Sequence, residues 1–409
     1  MAYLGSRKLC IQVEKLCLEL KNIVKVQPVS VKSVGINHGF CRPISTLVPR
    51  HNQIGDIQNG NCAIKNSRLL SSMLPNQPGS LLKENIDPYK LLEADLKDIY
   101  SDIRQKLIKS TNIEELQTIA TYYFDGQGKA LRPMIAVLMA RASNYHEHKD
   151  QLLASQRQVA MISEMIHSAS LIHDDVIDQS NFRRGKPSVN VLWSQKKVTM
   201  AGDFILAVAS MMIAQLKNDN VTITLSKVIT DLVQGEFMQL GSRETENERF
   251  AHYLTKTYRK TASLIANTAK AVAMLSGADD RVAEVAFQYG RNIGLAFQLV
   301  DDLLDFVSSS ETMGKPAAAD LKLGLATAPV LFACEKYPEL DPMILRRFQE
   351  PGDVERAFKL VHDSEGLNQT KFLAKKHCNE AISLAQSLAA SPYQEGLIVV
   401  GDLVLNRIK

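Results

Sequence analysis

Two short acidic clusters, Asp174-Asp175-Val176-Ile177-Asp178 and Asp301-Asp302-Leu303-Leu304-Asp305, constrain this chain more than any other feature of its 409 residues. Each closes a long apolar-periodic run with two adjacent aspartates and a third at DDxxD spacing. In a helix the first and third carboxylates of such a cluster share one face, four residues apart. A single copy reads as a solvated helix turn. Two copies, each preceded by aliphatic residues (Leu171-Ile172 and Leu299-Val300), do not, because solvated faces rarely embed their charges in apolar surroundings. Like charges on a buried face need a counter-charge, and carboxylates at this density call for a divalent metal. A fold that uses the motif twice can hold Mg2+ ions between facing helix ends, with water and a diphosphate completing the coordination.

The rest of the chain supplies helices to carry them. Hydrophobic residues make up 45% and aromatics only 6%, an aliphatic bias that favours helix over sheet. Apolar periodicity predicts helices over 89–108, 112–123, 132–144, 151–177, 197–216, 221–240, 250–276, 281–307, 328–336, 354–363, 368–388 and 392–407. No alternating strand pattern appears between them. The expected fold is all-α, a bundle of ten or more helices around a central cavity.

Residues 1–84 read differently. Eleven Lys or Arg against Glu14, Glu19 and Asp56 fall between Met1 and Lys83, a balance of +8, whereas the remainder is −4. A basic, irregular leader ending in the linker Gln77-Pro78-Gly79-Ser80 fits an organelle transit peptide, although Glu14 and Glu19 count against it. The folded domain is then 85–409, starting near Asp87-Pro88. Its slightly acidic body has no nucleic-acid footprint. No run of about eighteen uncharged apolar residues predicts a membrane span, which leaves peripheral membrane contact as the most the composition allows. Cys334 and Cys378 are the body's two cysteines, without metal-ligand spacing, which suits a reducing compartment.

Cations stand near both clusters. Lys129 and Arg132 precede a helix that can begin at Pro133, and basic groups beside free helix amides suit a diphosphate. Arg183-Arg184-Gly185 follows the first cluster, close enough to return guanidinium groups over bound phosphate. His167 lies two helical turns before Asp174. Lys260-Thr261, Gln298 and Lys315 are further phosphate-facing candidates.

The order GKxxRP, HDDxxD, RRG, KT, QxxDDxxD and GKxxxxD, from about Tyr89 onward, resembles the trans-isoprenyl (polyprenyl) diphosphate synthases. The resemblance implies a prenyltransferase that adds isopentenyl diphosphate head-to-tail (1'-4) to an allylic diphosphate, farnesyl or geranylgeranyl, to build a long all-trans chain such as the ubiquinone side chain. It implies that Asp174, Asp175, Asp178, Asp301, Asp302 and Asp305 hold Mg2+. Lys129, Arg132, His167 and Arg184 would bind isopentenyl diphosphate, and Arg183, Lys260, Thr261, Gln298 and Lys315 the allylic substrate, with Lys260 and Gln298 joining the first aspartates in catalysis. It also implies a homodimer, or a hetero-oligomer with a diverged second subunit. One position departs: many relatives carry a lysine where this chain has Leu325, and Lys322 is the nearest substitute in sequence.

Two other classes fit less well. A non-catalytic regulatory subunit of such a synthase would be expected to have lost aspartates, and a terpene cyclase would not need GKxxRP and RRG. Ala169 and Ser170, five and four residues before Asp174, are small, so with Ile162 and Ile166 they predict an apolar tunnel open to a long product.

Overall fold

A computed structural model describes residues 86–126, 130–241, 248–307 and 318–408. The leader, Lys129 and Lys315 lie outside the described residues. The chain opens with helices α1 (Pro88–Leu91), α2 (Glu93–Leu96), α3 (Ile99–Lys109), α4 (Glu114–Thr121), α5 (Leu131–His146) and α6 (Ala154–Ile177). A hairpin of β1 (Phe182–Arg183) and β2 (Lys186–Pro187) follows, then α7 (Val189–Leu192), α8 (Gln195–Gln215), α9 (Asp219–Gly241) and α10 (Arg249–Thr257). A π-helical turn, Tyr258–Ala262, leads into α11 (Ser263–Leu275) and α12 (Asp280–Val307). The last elements are α13 (Ala319–Lys322), α14 (Ala328–Cys334), α15 (Leu340–Leu345), α16 (Asp353–His362), α17 (Gly366–Gln386), α18 (Pro392–Leu405) and a closing 3-10 turn.

Among the described residues the bundle is therefore all-α apart from one hairpin of two-residue strands, and each predicted helix has a counterpart. Asp87 caps the start, accepting from the Tyr89 amide at 2.9 Å ahead of Pro88. Pro133 does not open its helix as expected. Ala130, in a left-handed conformation (φ 44°), turns the chain so that α5 begins at Leu131, and Pro133 falls third, where its missing N–H is still not needed.

Helices α5 and α11 are apolar nearly all round and form the centre, with α11 packed against α5, α6, α9 and α12. A polar knot fixes three of them. Asn144 and Gln156, both fully buried, exchange amide hydrogen bonds at 2.8 Å, and Gln156 also donates to the Val272 carbonyl at 3.0 Å. Satisfied on each side, such a pair specifies register rather than costing desolvation. Closest contact falls where α12 offers glycine: a Cβ at Gly290 or Gly294 would lie 2.7 Å or 2.5 Å from the Cα of Ala266 or Ala262.

Helix α8 is long and apolar enough to cross a membrane by composition, with mean hydropathy 1.6. Asp203 interrupts its apolar run, and Val198, Ala201, Ile205, Val208 and Met212 are buried on the side that packs α6.

Helix α17 carries a titratable weak point. His377 is buried and its Nδ1 pairs with Asn292 Oδ1 at 2.7 Å, while burial, reinforced by Arg291 and Lys376, pushes its pKa down to about 3. A base whose folded pKa is depressed contributes stability that is complete above its unfolded value of about 6.5 and is lost as pH falls toward the folded one. Acidification from pH 7 to pH 4 is expected to cost about 3 kcal/mol at this site alone. His377→Gln should flatten the thermal-melting profile over that interval. An unchanged pH profile in the variant would contradict the assignment.

Candidate active site

The first cluster ends α6, and the RRG motif is what folds back onto it. Arg184 and Gly185 have φ of 53° and 75°, positive at both central positions of a two-residue hairpin, as a type I′ turn requires. The hairpin returns Arg183 to Asp175, which its guanidinium meets at 3.0 and 2.5 Å. Asp175 is fully buried, and its second oxygen accepts from the Tyr123 hydroxyl at 2.5 Å. With both oxygens engaged, Asp175 anchors the hairpin, whereas Asp174 and Asp178 are left more open. Burial pushes the Asp174 carboxyl up to about 6, with Lys260 opposing and Glu236 and Asp178 adding to the rise; Asp178 is raised for similar reasons.

The second cluster lies within α12. Asp302, buried, accepts from the Tyr253 hydroxyl and from Gln298 at 2.9 Å; burial pushes it up to about 6 against the pull of those hydrogen bonds and of Lys256. Asp305 accepts the backbone amides of Ala319 and Asp320, each at 3.0 Å, and so fixes the return of the chain into α13. Asp301 pairs with Arg407 at 2.9 Å.

One chain of contacts joins the two clusters. Gln298 accepts from the Thr261 hydroxyl at 2.9 Å, and the adjacent Lys260 meets Glu236 at 2.5 Å and Gln239 at 3.0 Å beside Asp174. Lys260 and Thr261 both lie in the π turn, an irregularity that often marks functional sites. Gly235 makes room: a Cβ there would fall 2.7 Å from the Lys260 side chain.

Two cavities open beside this network. One, about 390 Å³, is lined by Asp174, Glu236 and Lys260, by His173, Thr199 and Asp203, and by a majority of apolar side chains that include Ile166, Leu206 and Ile229. Ser170 lines it too. Ala169 and Ile162 do not, being fully buried in helix packing, so the expected tunnel wall holds for only one residue of each pair. The other, about 410 Å³, is lined by Arg132, Arg184 and Arg407 together with Glu164 and Tyr89. Arg132 Nε is buried without a hydrogen-bond partner, and the residue feels both Glu164 and Asp301. His167 stands near this basic group: burial, reinforced by Arg132, Arg184 and Arg183, holds its pKa well below the usual value, so the imidazole is neutral.

Tyr123, Glu236, Tyr253 and Arg407 were not singled out as site residues by sequence pattern. Tyr253 and Arg407 lie 49 and 106 positions from the aspartates they touch, and only the fold brings them there.

Among the described residues no three His, Cys, Asp or Glu side chains are already gathered as a metal cage. The donor set nonetheless suits a hard cation. It is all carboxylate, and Asp174 and Asp302 sit where burial disfavours their charge until a counter-ion is supplied.

Buried carboxylates and cations beside a largely apolar cavity, in an all-α bundle, suit a prenyltransferase. The polyprenyl synthetase family profile matches residues 113–361, and the chain belongs to that family. It is 56% identical over 324 residues to the all-trans-polyprenyl-diphosphate synthase PDSS1 of Homo sapiens, covering 79% of this chain and 78% of that one. Against decaprenyl-diphosphate synthase subunit 1 of Schizosaccharomyces pombe the identity is 44%, with 78% and 91% covered. The crystal structure of a Caulobacter crescentus polyprenyl synthase complexed with calcium and isoprenyl diphosphate superposes with a TM-score of 0.71 at 30% identity, covering 80% of this chain and all of that one. The activity is all-trans polyprenyl-diphosphate synthesis.

Proposed function

We propose that this chain is a mitochondrial, Mg2+-dependent synthase that extends farnesyl or geranylgeranyl diphosphate with successive isopentenyl diphosphate units to make the long ubiquinone side chain. Relatives named as mitochondrial in Yarrowia lipolytica and Neurospora crassa support the compartment. Residues 1–84 are its transit peptide and linker, and 85–409 its catalytic domain. It works as a homodimer or with a diverged second subunit, as the name of the fission-yeast relative suggests.

The observation that carries this reading is the continuity of the site: acidic residues, a lysine and an apolar cavity follow one another along α6, α9 and the π turn. Asp174, Asp178 and Asp301 offer the more open carboxylates to Mg2+, with Asp302 behind them and Asp175 and Asp305 holding the backbone around the site. Magnesium, when bound, supplies charge to stabilise the departing pyrophosphate. Arg183 and Lys260 add fixed positive charge to the same oxygens, which lowers the barrier to breaking the allylic carbon–oxygen bond. Thr261 and Gln298 orient Asp302 and line the path between the clusters. Arg132 and Arg184 in the basic cavity, with neutral His167 near them, receive isopentenyl diphosphate, so that its double bond attacks the allylic cation; Lys129 is assigned to the same substrate by sequence motif alone. Proton loss, to the pyrophosphate, then regenerates an allylic diphosphate whose tail runs into the apolar cavity. Lys315 is assigned to the allylic diphosphate by its sequence motif alone.

Incorporation of labelled isopentenyl diphosphate by the purified chain, with chromatographic sizing, tests this. Long polyprenyl products that need Mg2+ are expected. Products stopping at fifteen carbons, or none with or without a partner subunit, would contradict it.

A further inference from the structure

We propose that Asp231 is a positioning residue of the synthase: from the buried face of α9 it holds the π turn in its wide winding, and so aims Lys260 at the first aspartate cluster and Thr261 at Gln298. This rests on the synthase reading above, which gives Lys260 and Thr261 their substrate.

Asp231 is a buried acid on a helix whose other buried residues are Val221, Leu225, Val228 and Gly235. A carboxyl group in such surroundings is costly unless it is hydrogen-bonded. The Ser263 hydroxyl meets that need, donating to Asp231 Oδ2 at 2.5 Å. The Asn267 amide in turn donates to the Ser263 hydroxyl at 3.0 Å and to the Ser263 carbonyl at 2.8 Å. At the other end of the turn, burial pushes the Tyr258 phenol up to about 12; the charge of Asp231 adds to that rise, and hydrogen bonds with Ser263 and Asn267 oppose it. Tyr258 and Ser263 are the two residues joined by the bond that makes the turn wide, from the Ser263 N–H to the Tyr258 carbonyl five residues back. One carboxyl group therefore acts on both ends of the irregular turn.

The direction of Lys260 and Thr261 depends on that winding. Each residue gained or lost when a turn rewinds as α-helix rotates the side chains beyond it by roughly 100° about the axis. Lys260 would then leave Glu236 and Gln239, which it meets at 2.5 Å and 3.0 Å, and Thr261 would leave Gln298. Glycines make room for the wide form on both sides. Gly235 lies one helical turn after Asp231 on α9, and a Cβ there would fall 2.7 Å from the Lys260 side chain; on α12, a Cβ at Gly294 would fall 2.5 Å from the Ala262 Cα. Room alone does not fix a winding, whereas a satisfied polar network does.

The test measures kcat, the KM for farnesyl and for isopentenyl diphosphate, and calorimetric affinity for inorganic pyrophosphate in Mg2+. Asp231→Ala is expected to lower kcat/KM for farnesyl diphosphate by roughly tenfold or more and to weaken pyrophosphate binding, while the KM for isopentenyl diphosphate stays within about twofold. Asp231→Asn keeps an oxygen for the Ser263 hydroxyl and should stay within about threefold of wild type. In a chain that already carries Lys260→Met and Thr261→Val, adding Asp231→Ala should weaken pyrophosphate binding by less than about twofold, because the groups it positions are gone. Should Asp231→Ala fail to fold, Ser263→Ala carries the same cycle. Losses that multiply in full in the triple variant, an Asp231→Asn chain as impaired as Asp231→Ala, or an Asp231→Ala chain that matches wild type overturns the proposal. The synthase reading fails separately, only if wild type makes no polyprenyl product.

Discussion

Asp174→Asn is expected to lower polyprenyl synthesis by about a thousandfold or more while raising the melting temperature of the metal-free protein. The first effect follows from removing a carboxylate that would hold the metal on which leaving-group stabilisation depends. The second follows from where the carboxyl sits. Burial pushes it up to about 6 from 3.8. A raised acid stabilises the fold in its protonated form, a contribution complete below the unfolded pKa and lost as pH rises through the folded one. At pH 7 the ionised group therefore costs the metal-free fold as much as about 3 kcal/mol, a cost asparagine does not carry. Activity and melting, moving in opposite directions, separate a functional carboxylate from a structural one. A variant that retains a tenth of the activity, or melts far below wild type, would contradict this role.

Ser170→Phe is expected to shorten the dominant product by several isoprene units with little loss of total incorporation. Ser170 lines the apolar cavity one turn from Asp174, with Ile166 beyond it. A benzyl side chain there narrows the path of the growing tail while leaving the Asp174 carboxylate and the Lys260 ammonium in place. Ala169→Phe is the contrasting variant. Ala169 is fully buried between helices, so the larger ring has no cavity to enter and overpacks the core, at about 1–3 kcal/mol or more. Chromatographic sizing of both checks this: unchanged product length in Ser170→Phe would remove the cavity from the account.

Much of this architecture is legible in the sequence, and the reason is periodicity. Helices such as α6, α9 and α12 bury a defined face over many turns, so their apolar residues recur at helical spacing and their ends fall near the expected positions. The short helices α7, α13 and α15 are too brief to establish a period, and the hairpin at Arg183-Arg184-Gly185 is made by two positive φ values that leave no alternation to read. The π turn at Tyr258–Ala262 hides inside a continuous helical pattern for the same reason. Both aspartate clusters announce themselves through charge in an apolar context. What divides the labour among the six carboxylates does not, because it is set by partners distant in sequence: Tyr123 on Asp175, Tyr253 on Asp302, Arg407 on Asp301. His167 illustrates the limit. Its seven-residue spacing from Asp174 suggests a shared face but gives no sign that Arg132, Arg184 and Arg183 act on its ring.

The most direct measurement is a diffraction experiment on crystals grown with Mn2+ and inorganic pyrophosphate, reading the metal positions from anomalous scattering. The account predicts metal peaks between the two clusters, bonded to Asp174 and Asp178 on one side and to Asp301 or Asp302 on the other, with pyrophosphate oxygens completing the coordination. Metal bound at one cluster alone with pyrophosphate elsewhere, or no metal at either, would contradict it.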